Sequence, residues 1–384
     1  MLNIPLLANP ILSLFLMASE ASDSFFAPSA PAPATSPPVR SMERHDGYSL
    51  YIPATAAPRG APMVVMLHGA SQDREDFALG TAMNSVAERH GFIVLYPAQS
   101  HSANAHRCWN WFDPAHQTRD QGDPARLAAL TLQVARERQA DPRRIYVAGL
   151  SAGGAMAALL GELFPEIYAA VGVHSGLAPR AGADLSSALA AMRGVSRIAG
   201  VPSGVPTIVF HGDKDSTVSP INAMRVIEAS LGADCAHDAC QGTSADGRRF
   251  TRRIYYRKDS SVCGELWQLH DASHAWSGGN RKGSYADPTG PNASEEMLRF
   301  FKNQRLVARR VHPEARLAMQ PRHIAREAQA LSDAIQAAKA AHSANTASAS
   351  SREAASSRLG AMPTEASLSP EIIGRTSRWR LMST

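Results

Sequence analysis

Residues 143–164, RRIYVAGLSAGGAMAALLGELF, constrain what this chain can fold into more than any other stretch. An apolar run suited to a buried strand leads into Gly149-Leu150-Ser151-Ala152-Gly153, and a run of small residues suited to a tightly packed helix leads out. A strand that turns straight into a helix forces a strained corner and holds the corner side chain clear of the backbone. Glycines on both sides of the corner let strand and helix approach closely. The alternative for Ser151 is a plain helix N-cap serine.

The rest of the chain supplies the sheet that such a corner needs. Residues 63–67 (MVVML), 92–96, 145–148, 169–174 and 207–210 read as short buried strands, and residues 48–52, 250–256 and 265–269 extend the set. Helical patterns cover residues 81–90, 124–139, 152–164, 220–231 and 294–301, with Leu127, Leu130 and Val134 on one face of the second. Strands alternating with helices predict an α/β fold with a mostly parallel central sheet and helices on both faces. The expected divisions are an apolar N-terminal segment over residues 1–26 and a Pro/Ala/Ser linker over 27–43. A catalytic domain over 44–304 and a basic Ala/Ser-rich tail over 305–384 follow. A single helix is expected in the tail, over residues 322–341, with the remainder disordered.

Charge and cysteines bear on partners and compartment. The formal net charge is +5, but the tail after Gln304 carries 12 Lys/Arg against 6 Asp/Glu, which leaves residues 1–304 near −1. The body therefore has no nucleic-acid footprint. Cys108, Cys235, Cys240 and Cys263 include no Cys-x-x-Cys pair and no zinc spacing. Two disulfides are open to them, and Cys235 with Cys240 would close a short loop. Residues 4–17 are mostly apolar and small residues follow, as in a secretory signal, yet no Lys or Arg precedes Arg40 and Pro5 and Pro10 interrupt the run. That run is too short and broken to span a membrane. Secreted or periplasmic is the reading taken, with an intracellular, granule-bound protein as the alternative.

A serine hydroxyl is a poor nucleophile at neutral pH, so an acid and a histidine must follow it, in that chain order for this kind of corner. Acids cluster in His211-Gly212-Asp213-Lys214-Asp215, directly after the buried strand TIVF. Asp215 is preferred, because Asp213 belongs beside Gly212 in the turn. Of the later histidines, His270 and His274 lie near the end of a strand (ELWQLH), and His274 is preferred because it stands in the loop beyond it. The oxyanion of acyl transfer needs two preorganised backbone donors. The amides of Ala152 and of Ala70, in Leu67-His68-Gly69-Ala70, are expected to supply them. His68 has no second ligand at metal spacing, so no metal or organic cofactor is expected. His68, Trp109, Trp111 and Trp276 are the candidates for lining a substrate cleft.

Seven segments in order carry a resemblance: LHGA at 67–70, CWNWF at 108–112, RDQGD at 119–123, GLSAGG at 149–154, HGDKDSTV at 211–218, SHAWSGG at 273–279 and GSYADPTGPNAS at 283–294. From about Ser49 to Phe301 the chain resembles the polyhydroxybutyrate depolymerase family of esterases, close to the acetylxylan and feruloyl esterases. The resemblance implies the α/β-hydrolase fold and a triad of Ser151, Asp215 and His274. It also implies hydrolysis of poly- or oligo-hydroxyalkanoate esters through an acyl-enzyme. An acetylxylan or feruloyl type of esterase is the first alternative, and a non-catalytic granule- or surface-binding protein the second. The tail lacks the β-rich composition of a polymer-adsorbing domain, which turns the expectation toward amorphous granules, soluble oligomers or a different ester.

Overall fold

The computed structural model describes residues 42–195 and 201–306. One compact unit ends at Leu306. The apolar N-terminal segment, most of the linker and the expected helix over 322–341 lie outside the described residues.

A ten-stranded sheet runs through this unit. Its central strands are β3 (Met63–Leu67), β4 (Ile93–Pro97), β5 (Ile145–Leu150), β6 (Ala170–His174), β7 (Thr207–Gly212) and β10 (Val262–Leu269). At one edge lie β1 (Glu43–His45) and β2 (Tyr48–Tyr51), and at the other β8 (His237–Thr243) and β9 (Arg249–Tyr256). The spatial order is β1-β2-β4-β3-β5-β6-β7-β10-β9-β8. The six strands from β4 to β10 pair in parallel, and both edges turn antiparallel.

Strand periodicity sorts the side chains to two faces. Met63, Val65, Leu67, Val147, Val171 and Val209 join one core cluster, and Val64, Met66, Tyr146, Ala148, Ile208 and Phe210 the other. Helices α3 (Gly122–Glu137), α4 (Ala152–Leu163) and α6 (Ile221–Leu231) bury residues in the first cluster. Helices α1 (Arg74–Thr81), α2 (Met83–His90) and α7 (Ala293–Lys302) cover the second. Burial on both faces is what makes the parallel strands near-continuous apolar runs in sequence.

Three elements depart from the sequence reading. The helix expected over 81–90 is α2, shorter by two residues, and an unexpected helix, α1, precedes it across a break at Ala82, whose φ of 51° is left-handed. Helix α5 (Leu185–Met192) and the edge strand β8 carry no clear apolar period and were not expected. The short loop from Cys235 to Cys240 does not form either. The extended strand β8 begins at His237 and carries Cys240 away at about 3.3 Å per residue. Cys235 instead faces Cys263, with the sulfurs 3.9 Å apart.

Candidate active site

Ser151 sits at the turn between β5 and α4 with φ 56° and ψ −118°, a conformation that L-residues rarely adopt. The corner is held by close packing. A Cβ on Gly153 would lie 2.1 Å from the Leu67 carbonyl oxygen, and one on Gly149 would lie 2.4 Å from the Gly153 backbone. No other residue fits where β3, β5 and α4 meet. The Ser151 amide donates to the His174 carbonyl at the end of β6 (2.9 Å), which locks the corner to the neighbouring strand.

Asp215 follows β7 by three residues, and His274 follows β10 by five. Both therefore stand at the carboxyl edge of the sheet, as Ser151 does. His274 Nδ1 donates to Asp215 Oδ2 at 2.7 Å. The other carboxylate oxygen accepts from the amides of Thr217 (2.9 Å) and Val218 (2.8 Å). His211 Nε2 approaches Oδ2 from the other side at 3.3 Å and also donates to the Val218 carbonyl. Burial alone would push the Asp215 carboxyl up, but these hydrogen bonds from His211, His274 and Val218 outweigh it and hold the group well below the usual carboxylate range. An ionised, buried carboxylate on Nδ1 leaves Nε2 of His274 as the lone-pair nitrogen.

The rejected acid and base also find each other. His270 Nδ1 lies 3.1 Å from Asp213 Oδ2, and the Asp271 amide donates to Asp213 Oδ1 at 2.7 Å. Thr251 Oγ1 occupies the second ring nitrogen of His270 at 2.9 Å, so neither nitrogen is open to a substrate. This outer pair joins the loop after β7 to the loop after β10. Two backbone bonds do the same, Asp213 to Leu269 and Lys214 to Ala272, both 3.0 Å.

The early loop is equally ordered. Gly69 donates to Gln72 Oε1 (2.9 Å), Ser71 to the His106 carbonyl (2.7 Å) and Gln72 back to Gly69 (3.3 Å). Among the described residues the Ala70 amide takes no protein acceptor. Ala152 is the first residue of α4, where an amide has no intrahelical partner. Gln72, nearly buried, donates from Nε2 to Asp76 and to both oxygens of Ser284, tying this loop to the segment that carries Tyr285.

Four candidates for the cleft lie elsewhere than expected. His68, Trp109 and Trp276 are at most 1% exposed and Trp111 is 5% exposed. Each has a structural partner. His68 donates from Nδ1 to the Gly69 carbonyl and accepts the Gln99 amide at Nε2, and burial lowers its pKa to about 4. Trp109 Nε1 donates to the His68 carbonyl, and Trp276 Nε1 to Ser294 Oγ. Gln117 donates to the Trp111 carbonyl. The tryptophans are too large and apolar to stay at a loop surface when the loop can fold over them. They brace the loops from behind.

Several site residues were not anticipated. Buried Asp123 accepts from Gln99, the Asn110 amide and side chain, and Arg126, and so organises the loop that holds both tryptophans. His174, fully buried, accepts the Ser277 amide at Nε2 (3.0 Å) and stacks on Trp276 and Phe210. Burial lowers its pKa to about 3. Tyr285 has φ 49°, is 51% exposed, and lies edge-on to the His274 ring with centroids 6.3 Å apart. A signal existed for the histidines: polar rings ending apolar strands must be hydrogen-bonded there. For Tyr285 there was none, since its place depends on the pairing of two-residue strands β11 (Trp276–Ser277) and β12 (Ala286–Asp287). Among the described residues no group of three or more His, Cys, Asp or Glu is arranged to hold a metal ion. No helix among them is long and apolar enough to cross a membrane.

Several known proteins are similar to this chain over part of its length. A poly(3-hydroxyalkanoate) depolymerase C from Paucimonas lemoignei is 30% identical over 185 residues, 44% of this chain and 44% of that protein. A feruloyl esterase B from Neurospora crassa is 33% identical over 139 residues, 36% of this chain and 46% of that protein. The chain thus spans less than half the length of these relatives. An acetyl xylan esterase from Aspergillus awamori superposes with a TM-score of 0.52 at 17% identity, covering 67% of this chain and 93% of that one, which shows the shared α/β-hydrolase fold. A family profile described as esterase PHB depolymerase matches residues 46–251, over half of the sequence, and the chain belongs to that family.

Proposed function

We propose that the protein is a serine carboxylic-ester hydrolase acting on poly- or oligo-hydroxyalkanoate esters. The observation that carries this reading is the buried Asp215–His274 pair, at 2.7 Å, on the same sheet edge as the strained Ser151 corner. In this mechanism Ser151 Oγ attacks the ester carbonyl while His274 Nε2 takes its proton. Asp215 holds the imidazole in the tautomer with Nδ1 protonated and stabilises the imidazolium that forms. The amides of Ala70 and Ala152 bind the oxyanion, a role worth several kcal/mol of barrier in total. His274 then protonates the departing alcohol oxygen, and water repeats the sequence in reverse to free the acid.

Tyr285 takes the part first assigned to the tryptophans. Half exposed beside the base, it offers an aromatic face to the substituent of the ester. A hydroxybutyrate repeat has a small branched apolar group at each ester, which suits such a contact. The relatedness to a feruloyl esterase B favours a second reading, an esterase of phenolic or acetyl esters on plant polysaccharide. One comparison separates the two: kcat/KM on hydroxybutyrate oligomers against feruloyl and acetyl-sugar esters. A preference of tenfold or more for either of the latter overturns the hydroxyalkanoate reading and leaves the hydrolase reading intact. An exported location belongs to this proposal too, supported by the apolar run over residues 4–17. Fractionation of the native host tests it.

A further inference from the structure

We propose that Cys235 and Cys263 form a disulfide that clamps the antiparallel edge of the sheet to the end of α6. All four cysteines are free thiols here. Only these two sulfurs are recorded in contact among the described residues, 3.9 Å apart across 28 positions of sequence. Cys263 is buried, at 2% exposure, and Cys235 is half-buried. Cys240 is exposed on β8, and Cys108 points its Sγ at the Trp109 carbonyl, 3.3 Å away.

The backbone explains why these two thiols meet. The ladder between β9 and β10 shifts register between Val262 and Gly264, leaving Cys263 as the extra residue. A bulge of this kind re-aims the side chain of the unpaired residue. Cys235 stands in the turn between α6 and β8, which is closed by the bond from the Tyr256 amide to the Ala236 carbonyl (3.0 Å). Their thiols contact adjacent carbonyls, Cys235 that of Tyr256 and Cys263 that of Tyr255. The gap exceeds a bonded S–S distance by about 2 Å, so the proposed bond requires the two side chains to rotate toward each other.

A route for oxidation is present. A cleft of about 750 Å³ is lined by Leu231, Gly232, Cys235, Tyr256, Lys258 and Cys263. A small disulfide such as oxidised glutathione can enter it. The Cys235 thiolate attacks that disulfide, forming a mixed disulfide and releasing one reduced glutathione. The Cys263 thiolate then attacks Cys235 Sγ, forming the protein S–S bond and releasing the second. Two protein thiols are oxidised, one glutathione disulfide is reduced, and the two thiol protons pass to the two leaving thiolates.

The cross-link would matter for the reaction site, because β10 begins beside Cys263 and ends on the loop carrying His274. It also closes the loop that contains β8 and β9, the part of the sheet paired on one side only by the polar edge strand. Restricting that loop in the unfolded chain raises stability.

The test uses the full chain, purified reduced and then equilibrated with oxidised glutathione in the folded state. Peptide mapping without reductant should show Cys235 linked to Cys263, with a mass loss of two hydrogens. The thermal midpoint should rise by about 5–10 °C, and soluble-ester turnover should be retained. Cys235→Ser and Cys263→Ser should each abolish both the link and the rise, whereas Cys108→Ser and Cys240→Ser should keep them. A persistent glutathione adduct on Cys235, a link from Cys235 to Cys240, or a link without any thermal gain overturns the proposal. Because the mapping needs no substrate, its result is independent of what the site hydrolyses.

Discussion

At Asp215 the carboxylate has four hydrogen-bond contacts and no solvent, whereas Asp213, two residues earlier, is a quarter exposed and bound to a histidine with no free nitrogen. This contrast sets the expected ranking of substitutions. Asp215→Asn should lower kcat/KM by about 10⁴-fold, since Asn favours the wrong His274 tautomer. Asp213→Asn should cost less than about tenfold, and the reverse ranking in steady-state assays would move the acid to Asp213. Ser151→Ala should lose at least about 10⁴-fold with the fold retained, as judged by circular dichroism. Tyr285→Ala should raise KM for an ester with a bulky or aromatic substituent several-fold while leaving kcat on a small acetyl ester near wild type. A parallel fall in kcat on both esters would mean that Tyr285 supports the His274 loop and does not contact substrate.

At the scale of elements, the corner from β5 to α4 was legible because its requirement is local. A strand and a helix that nearly touch need glycines at the contact, and they are in the sequence. Gly153→Ala should therefore destabilise the protein by more than about 2 kcal/mol and lower activity, because the new Cβ meets backbone oxygens that cannot swing away. Urea unfolding of the variant checks this, and an unchanged midpoint would show that α4 can shift freely. Other elements were not legible for the opposite reason. Strand β8 (HDACQGT) is held by its hairpin ladder to the next strand, β9, and it buries almost no side chain, so no apolar period marks it. The break at Ala82 puts an alanine, not a glycine, in the left-handed position, although Gly80 stands two residues before it.

Across the whole molecule, two fully buried histidines make the fold sensitive to acid. His68 and His174 have pKa values lowered to about 4 and about 3, whereas an unfolded histidine titrates near 6.5. Between about pH 6.5 and pH 4 the unfolded chain therefore binds more protons than the native one, and stability rises with pH. Two such groups give a slope of up to about 2.7 kcal/mol per pH unit near pH 5. Below the unfolded carboxyl pKa of about 3.9, Asp215 adds to the loss in the same direction, since its folded pKa is depressed. Denaturant unfolding between pH 7 and pH 4 should show midpoints falling steadily as pH drops. A flat profile would mean that these rings reach solvent.

By itself the sequence determined the sheet-and-helix alternation and the serine corner, because each rests on local apolar period or on glycine sterics. Its Asp-before-His clusters narrowed the candidates for acid and base to two of each. Tertiary structure decided which pair is buried at the sheet edge and which is sealed by Thr251. It also moved the tryptophans inside, brought Tyr285 beside His274 and set Cys235 against Cys263. Those outcomes depend on contacts between separate segments of the chain. No periodicity along the chain records such contacts; they follow only when the loops close over the assembled sheet.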